Sequence, residues 1–239
     1  MGEGGKDVII RIDVKRHAYG QSESYMNSFE VEATENMSVI QLLHMINEQR
    51  PIRDLFGNEV PPIQYEQSCQ QKQCGGCAMV INGVPKLACA AFVRDLCALQ
   101  NRISLEPLSK FPVICDLKVD RSAMYEHARE MKLWVQEIKE EKVLAKYQDF
   151  LYESAACLMC GCCLEVCPNY SKDGKFYGAS AMNMAGRVLR MEKDKDKRKE
   201  VKRGNKTHGS SHCSKSLGCE QVCPAHLPLS VHISNLYRF

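Results

Sequence analysis

Five cysteines lie within the eleven residues from Cys157 to Cys167, a density of thiols that no hydrophobic core requires. Four of the five, with Pro168 behind them, have the spacing C-x2-C-x2-C-x3-C-P that is typical of bacterial ferredoxins. Three thiolates at this spacing surround one iron–sulfur cubane, and the fourth ligates the other cluster of a two-cluster fold. The segment therefore predicts two adjacent clusters, and its four ligands are Cys157, Cys160, Cys163 and Cys167.

A second copy of the motif, from Cys213 to Pro224, lacks one cysteine and carries Ser216 in its place. In a two-cluster fold, the last cysteine of each motif binds the cluster of the other motif. The cysteines of the two motifs then form one set of four thiolates and one set of three. The set of four predicts a [4Fe–4S] cluster on Cys157, Cys160, Cys163 and Cys223. The set of three predicts a [3Fe–4S] cluster, a cubane without one corner iron, on Cys167, Cys213 and Cys219. The alternative, a fourth iron bound by the Ser216 alkoxide, is a poor match because soft thiolates hold these clusters.

An earlier group of four cysteines has a different spacing, C-x4-C-x2-C-x11-C. Its first part matches plant-type [2Fe–2S] proteins, whose fourth cysteine comes from further along the chain. Gly75 and Gly76 lie between the second and third cysteines, where backbone without Cβ atoms can approach bridging sulfides and donate N–H bonds to them. A structural zinc site is the alternative, but such sites usually contain two C-x2-C pairs and this group contains one. The group predicts a [2Fe–2S] cluster on Cys69, Cys74, Cys77 and Cys89.

These sites use eleven of the fourteen cysteines in the 239-residue chain. We expect Cys97, Cys115 and Cys162 to be small buried hydrophobic residues, with Cys162 close to a cluster but not bonded to it. The first residues lack the basic and apolar regions of a signal peptide, which favours reduced cysteines over a disulfide framework. The net charge of +3 does not indicate nucleic-acid binding, and no apolar run reaches the ~18–20 residues that span a bilayer.

Alternation and turn signals before residue 110 predict a small sheet crossed by one helix. Apolar residues at 10, 12 and 14 alternate with charged ones, as in a half-buried strand, and Phe29 and Val31 mark a second strand. Positions 39, 42, 43 and 46 form one apolar face of a helix. Asn82-Gly83 between two apolar runs predicts a hairpin, and 103–108 one more strand. This order predicts a plant-type ferredoxin domain of the β-grasp kind over residues 1–110.

From about Asp120 the apolar period becomes helical, with positions 124, 128, 131, 135 and 138 on one face. No convincing alternating strand follows, so residues 111–239 are predicted to form an all-α bacterial dicluster ferredoxin domain with its cysteines at helix starts. The predicted fold class is therefore α+β. The charged segment 192–203 is interpreted as a solvated helix end or variable loop, with a docking patch for a partner or lipid headgroups as the alternative.

A plant-type [2Fe–2S] module followed by a dicluster module that lacks one ligand resembles the iron–sulfur subunit of succinate dehydrogenase and fumarate reductase. The resemblance covers essentially the whole chain and includes MVINGVPKLAC, ISLEPL, FPVICDLKVDRSAMY and both cysteine–proline ends. Residues 116–124, the segment CPNYSK and the Ser216 position make the chain most similar to the subgroup with a single di-haem cytochrome b anchor that works with menaquinone.

The resemblance implies an electron-transfer subunit of a three-subunit, membrane-bound oxidoreductase. A separate flavoprotein with covalent FAD would interconvert succinate and fumarate, and this chain would carry electrons between that flavin and a membrane anchor with haem b and quinone. The [2Fe–2S] cluster would face the flavin, the [4Fe–4S] cluster would lie in the middle, and the [3Fe–4S] cluster would lie nearest the membrane. The chain would be peripheral, on the cytoplasmic face of the bacterial inner membrane, and would carry no catalytic acid or base.

The sequence departs from the family pattern at three places. Members with a ubiquinone site beside the three-iron cluster carry His directly after the cysteine that matches Cys213, where this chain has Ser214. They also carry Trp shortly after the one that matches Cys167, where this chain has Lys172. Ala225 follows the last cysteine–proline pair, where a basic residue is frequent. A quinone site is therefore not expected on this chain.

Two other functions stay open as alternatives. An iron–sulfur subunit of another flavin-dependent dehydrogenase, or of a heterodisulfide reductase-like complex, would usually have two complete dicluster motifs and no plant-type module. A structural zinc protein or nucleic-acid-binding protein would use the cysteines without iron. A brown protein with broad visible absorbance excludes this second alternative, and a colourless, zinc-replete protein supports it.

Overall fold

A computed structural model of the chain describes residues 8–21, 23–97, 100–135 and 145–236. These residues form two compact units, one up to Asp120 and one from Arg121 onward. The first contains a mixed β-sheet and the second is helical, as the α+β prediction requires. The units divide after Asp120, whereas the sequence predicts a boundary after residue 110. A short hairpin at 113–119 lies between these two positions and packs against the first unit.

The main sheet of the first unit has five strands in the order β2-β1-β5-β3-β4. β1 and β5 are parallel, and the other neighbouring pairs are antiparallel. Strands β6 and β7 form a separate two-stranded sheet. The bounds are β1 Val8–His17, β2 Ser24–Ala33, α1 Val39–Glu48, β3 Ala78–Ile81, β4 Val84–Leu87, α2 Val93–Leu96, β5 Arg102–Glu106, β6 Val113–Cys115 and β7 Lys118–Val119.

The strands, the helix and the hairpin of this unit form where the sequence signals predict them. The apolar residues at 10, 12 and 14 of β1 are fully buried, because alternate residues of a strand face the same side of the sheet. Helix α1 begins after Ser38, whose backbone N–H donates to Gln41 Oε1 at 2.8 Å in a capping box. Asn82 and Gly83 both have left-handed backbone, with φ of 48° and 76°, and join β3 to β4 in a two-residue turn.

A buried ion pair connects the sheet to the segment that leads into the first cysteine group. Arg16 on β1 donates from Nε to Asp116 Oδ1 at 2.7 Å, and both side chains are almost fully buried. The Asp116 carboxylate also accepts the backbone N–H of His17 and that of Gln64. The Arg16 guanidinium donates in addition to the carbonyl oxygens of residues 61 and 62. The pair therefore holds the segment before Cys69 against β1.

The second unit is built around helix α6. This helix packs against α3, α4, α5, α7 and α9, and ten of its fourteen residues are buried. The helices are α3 Ser122–Glu130, α4 Gln148–Ala155, α5 Cys162–Glu165, α6 Gly178–Met191, α7 Lys195–His208, α8 Gly218–Gln221 and α9 Leu229–Leu236. Among the residues described from 121 onward there is no β-strand.

Helix α3 is shorter than the apolar period predicts. It ends at Glu130, and Lys132 follows with left-handed backbone at φ 59°. Val135 lies outside a helix, and Ile138 lies outside the described residues. The prediction of one helix through position 138 is therefore wrong for the described part, because a lysine in the left-handed conformation ends the helix.

The charged segment 192–203 lies mostly in helix α7. Asp194 caps this helix, because its Oδ1 accepts the backbone N–H groups of Asp196 and Lys197 at 2.8 Å. Lys197 is buried, with Nζ 3.8 Å from the centre of the Trp134 ring, whereas most of its charged neighbours are exposed. Within the described ranges, no helix is both long enough and apolar enough to cross a bilayer.

Removal of the buried charge at position 116 is expected to destabilise the first unit strongly. Asp116→Ala would leave the Arg16 guanidinium buried without its carboxylate, which costs about 3–5 kcal/mol. Hydrogen-exchange mass spectrometry on peptides that cover β1 measures this loss in the full-length chain. The matched control is Glu106→Ala, which breaks a half-exposed ion pair with Lys15 and should cost less than about 1 kcal/mol. Equal losses in the two variants would contradict the role given to the buried pair.

Candidate iron–sulfur sites

The first cysteine group lies in a loop that runs into β3 and in the turn that follows β4. Cys77 directly precedes β3, and Cys89 lies in a single 3₁₀ turn after β4, so the β3–β4 hairpin brings these two buried thiols to one end of the sheet. Cys69 and Cys74 lie in the more exposed loop before them. The loop curls back through left-handed backbone at Gln70, Lys72 and Gly75, with φ of 53°, 59° and 75°.

Backbone N–H groups of this loop point at the cysteine sulfurs. The Sγ of Cys69 accepts from three of them, those of residues 71, 73 and 74, each at 3.3 Å. The N–H of Lys72 donates to Cys89 Sγ at 3.3 Å, and that of Gly76 donates to Cys74 Sγ at 3.4 Å. Donors of this kind stabilise negative charge on sulfur, and they lower the pKa of the Cys69 thiol to about 7. The loop therefore has the donor set and the electrostatics that a thiolate-bound cluster needs.

The second unit contains two separate cavities, each lined by one of the predicted cysteine sets. The cysteines that line the first are Cys157, Cys160, Cys163 and Cys223. The cysteines that line the second are Cys167, Cys213 and Cys219. Cys167 and Cys223 thus lie with the opposite half-motif, as the crossing rule predicts. The structure brings each set together, while the bonds to iron stay a prediction.

The two half-motifs have the same local backbone. The second residue after the first cysteine is left-handed in both, at Met159 with φ 51° and at Lys215 with φ 59°. The residue before the short helix is left-handed again, at Gly161 with φ 90° and at Leu217 with φ 64°. Helices α5 and α8 then lead to the crossing cysteines. Ser216 therefore occupies the backbone position that corresponds to Cys160, and it lines the second cavity.

Several side chains near these cavities were not predicted as functional from the sequence. Arg121 donates from Nη1 to the backbone carbonyl of Cys160 at 3.2 Å, and its positive charge favours the Cys160 thiolate. Ser214 donates from Oγ to Asn169 Oδ1 at 2.5 Å, and both residues line the second cavity. Arg121 belongs to the FPVICDLKVDRSAMY segment of the resemblance, but the spacing of the motifs gives no signal for it or for Asn169.

The three remaining cysteines have different environments. Cys162 is fully buried at the start of α5, as expected. The pKa of the neighbouring Cys160 thiol is lowered to about 7 despite its burial, because polar interactions with Cys162 and the positive charge of Arg121 favour the Cys160 thiolate. Cys97 and Cys115 are only half-buried, which corrects the prediction for both. Cys97 lies at the end of the short α2, and Cys115 lies in a two-stranded sheet, and neither place covers a side chain completely.

Among the described residues, no three Cys, His, Asp or Glu side chains converge as ligands of a single metal ion. A cluster has different requirements, because its ligands bind separate irons and its thiolates need not meet at one point. The donor groups of the three sets are all thiols, and Ser216 adds a hydroxyl to the lining of the second cavity.

Two protein-family models match the chain. Residues 10–126 match a 2Fe-2S iron-sulfur cluster binding domain, and residues 153–227 match a 4Fe-4S dicluster domain. The protein is therefore an iron–sulfur protein in which a [2Fe–2S] domain precedes a dicluster domain.

Similar proteins align with nearly the whole chain. The succinate dehydrogenase iron-sulfur subunit of Bacillus subtilis (strain 168) is 31% identical over 240 residues, and the match covers 96% of this chain and 91% of that protein. The fumarate reductase iron-sulfur subunit of Wolinella succinogenes is 28% identical over 246 residues, with 98% of this chain and 97% of that one covered. The chain belongs to the family of iron–sulfur subunits of succinate dehydrogenase and fumarate reductase.

A solved structure shows the same fold. A chain of the Mycobacterium smegmatis Sdh1 complex in the apo form matches with a TM-score of 0.81 at 21% identity, over 98% of this chain and 95% of that one. The predicted family and fold class are thus confirmed, whereas the di-haem subgroup stays a prediction.

Gly75→Ala is expected to weaken the [2Fe–2S] site. Gly75 has φ 75°, and an alanine there would pay about 1–2 kcal/mol for left-handed backbone. The matched control is Gly76→Ala, whose Cβ would meet Cys74 Sγ at 3.6 Å, an ordinary contact. Visible circular dichroism in the presence of a chelator should show several-fold faster cluster loss in Gly75→Ala than in Gly76→Ala. Equal rates of loss would show that the left-handed position does not shape the loop.

Proposed function

We propose that this chain is the electron-transfer subunit of a membrane-bound succinate dehydrogenase or quinol:fumarate reductase. It relays electrons between the FAD of a flavoprotein subunit and the quinone and haem of a membrane anchor. The observation that carries the proposal is the separation of the cysteines into three sets, one in the sheet unit and two in separate cavities of the helical unit. Three one-electron carriers in one chain suit a relay between a two-electron flavin and a distant quinone.

We propose one ligand set for each group of cysteines. Support comes from the two cavities and from the loop whose N–H groups point at the first four sulfurs. The three-iron assignment rests on the second cavity, where a hydroxyl occupies the position that a fourth thiol would take. The proposed sets are Cys69, Cys74, Cys77 and Cys89 for [2Fe–2S], Cys157, Cys160, Cys163 and Cys223 for [4Fe–4S], and Cys167, Cys213 and Cys219 for [3Fe–4S].

The residues of this chain hold the carriers and set the electrostatics around them. When bound, the clusters supply reversible one-electron transfer at potentials that depend on net charge, hydrogen bonds to sulfur and solvent exposure. The N–H groups around Cys69 and the guanidinium of Arg121 near Cys160 stabilise negative charge. Apolar side chains such as Leu227 and Leu229 line the first cavity and exclude water. Substrate chemistry is assigned to the flavoprotein subunit, and no catalytic acid or base to this chain.

The proposed partners are an FAD-containing flavoprotein subunit and a cytochrome b membrane anchor of the di-haem type, with menaquinone bound by the anchor. Family membership supports a flavoprotein and an anchor. Ser214 and Lys172 stand where family members with a quinone site at the three-iron cluster have His and Trp, which favours a quinone site in the anchor. The chain would be held by this anchor, peripherally, on the cytoplasmic face of the bacterial inner membrane.

The function is tested on the complex purified from membranes. Addition of succinate should reduce the [2Fe–2S] and [3Fe–4S] centres of this chain, as observed by electron paramagnetic resonance, and a menaquinone analogue should reoxidise them. Fumarate should reoxidise a complex that has been reduced through its quinone site. Clusters that stay oxidised with succinate but respond to a thiol–disulfide couple would support the heterodisulfide reductase-like alternative instead.

Ser216→Cys is expected to convert the three-iron centre into a four-iron cluster. The new thiol would lie at the backbone position that matches Cys160, so the incoming iron would gain a thiolate ligand. The matched control is Ser214→Cys, which adds a thiol to the same cavity outside that position. After anaerobic reconstitution, the signal of the oxidised three-iron centre should disappear in Ser216→Cys and persist in Ser214→Cys. Its persistence in both variants would contradict the vacant-corner assignment.

A further inference from the structure

Helix α7 carries a continuous row of basic side chains on one face. Its lysines at 195, 199, 202 and 206 are spaced four, three and four residues apart, which aligns them along one side of the helix. Arg203 lies beside this row, and all five side chains are exposed. At about 1.5 Å per residue the row extends over roughly 16 Å. We call these residues the basic ridge: Lys195, Lys199, Lys202, Arg203 and Lys206.

The other side of α7 packs against the helical unit. Lys197 and Val201 on this side are buried. A Cβ built on Gly204 would lie 3.2 Å from Met131 Cγ, so this part of the helix is in close contact with the end of α3. The packing fixes the rotation of α7 about its own axis, and the basic ridge therefore faces away from the core.

Little of the charge on the basic ridge is neutralised by the chain itself. Lys199 Nζ lies 2.9 Å from Asp196 Oδ1, but both side chains are well exposed and such a pair is weak. Within the described part of the chain, the other four members form no ion pair. Glu200 is the other exposed acid on the helix, beside the ridge. The ridge therefore presents a net positive surface over three helical turns.

The composition of this face favours a lipid surface over a protein partner. Cores of protein interfaces are enriched in aromatic residues and methionine and depleted in lysine. The structure describes α7 throughout, and none of its exposed residues is apolar or aromatic. Four of the five ridge members are lysines, which are strongly hydrated point charges on flexible stems. Such residues are attracted to the negative surface potential of a membrane that contains anionic lipids.

The basic ridge is also tied to the segment that leads into the second cavity. The 3₁₀ turn Ser210–His212 follows α7 and directly precedes Cys213. His212 Nε2 donates to the carbonyl oxygen of Thr207 at 2.9 Å, and the backbone N–H of Ser210 donates to Asn205 Oδ1 at 3.1 Å. The last turn of α7 is thus held directly against the residues before a proposed ligand of the three-iron cluster.

We propose that the basic ridge of α7 binds anionic phospholipid headgroups and thereby orients the helical unit at the bilayer surface. The inference rests on the proposed function, in which the second cavity lies nearest the membrane. The contact with headgroups acts in addition to the anchor subunit. It is electrostatic, so its strength depends on the number of ridge charges, on the fraction of anionic lipid and on the salt concentration.

The first test measures co-sedimentation of the full-length chain with vesicles of phosphatidylcholine, with and without phosphatidylglycerol. The chain should bind only the anionic vesicles and should be released by high salt, because salt screens exposed charges. Lys202→Gln/Lys206→Gln should weaken binding roughly 25-fold, about fivefold for each charge removed. The matched control Lys86→Gln/Lys118→Gln removes the same charge from the sheet unit and should change the affinity little.

A second test uses the complex purified from membranes and reconstituted into bilayers of the same two compositions. Lysine acetylation followed by mass spectrometry measures how accessible each amine is. The four lysines of the ridge should be protected in the anionic bilayer and reactive in the neutral one, whereas Lys118 should react equally in both. Equal protection of the ridge in the two bilayers would show that a protein subunit covers it, and would overturn the inference.

Three results of the vesicle test would also overturn it. These are equal binding to neutral and anionic vesicles, equal weakening in the ridge and control variants, and tighter binding to single-stranded RNA than to anionic vesicles. The last result would assign the ridge to a nucleic acid. None of them affects the reduction of the clusters by succinate, so a failure of lipid binding is distinguishable from a failure of the proposed function.

Discussion

The helical unit depends on one constraint, the crossing of the last cysteine of each half-motif into the cavity of the other. Cys167 can line a cavity with Cys213, and Cys223 can line one with Cys157, only if two segments about fifty residues apart in the sequence lie side by side. The contacts of α5 with α8, of α8 with α9 and of α6 with α9 provide this arrangement. Helix α6 lies between the two segments in the sequence and packs against both α5 and α9.

Thiolate ligands also require compensation for their charge, and the chain provides it mainly through its backbone. In the first unit, three backbone N–H groups converge on Cys69 and one reaches Cys89, because Gln70 and Lys72 have left-handed backbone. In the second unit, left-handed backbone recurs at matching positions of the two half-motifs, and three of these four positions, Met159, Lys215 and Leu217, carry a side chain that disfavours it. Because this strained backbone recurs in both half-motifs, we interpret the shape of these loops as a requirement of the cysteine sites and not of fold stability.

Much of this architecture could be predicted from the sequence, because its signals are local. Alternation predicts β1, Asn82-Gly83 predicts the hairpin, and the spacing of cysteines predicts which thiols lie together. Long-range contacts could not be predicted in this way. The pairing of Arg16 with Asp116, one hundred positions apart, depends on the fold as a whole. The end of α3 and the partial exposure of Cys115 likewise depend on what packs nearby.

The central claim is that one chain carries three clusters of three different kinds. Mössbauer spectroscopy of the ⁵⁷Fe-enriched, air-oxidised protein tests it directly, because every iron contributes to the spectrum in proportion to its number. The account predicts three components with iron areas in the ratio 2:4:3 for the [2Fe–2S], [4Fe–4S] and [3Fe–4S] centres. A spectrum without the three-iron component, in which four-iron clusters account for all the iron outside the [2Fe–2S] centre, would contradict it.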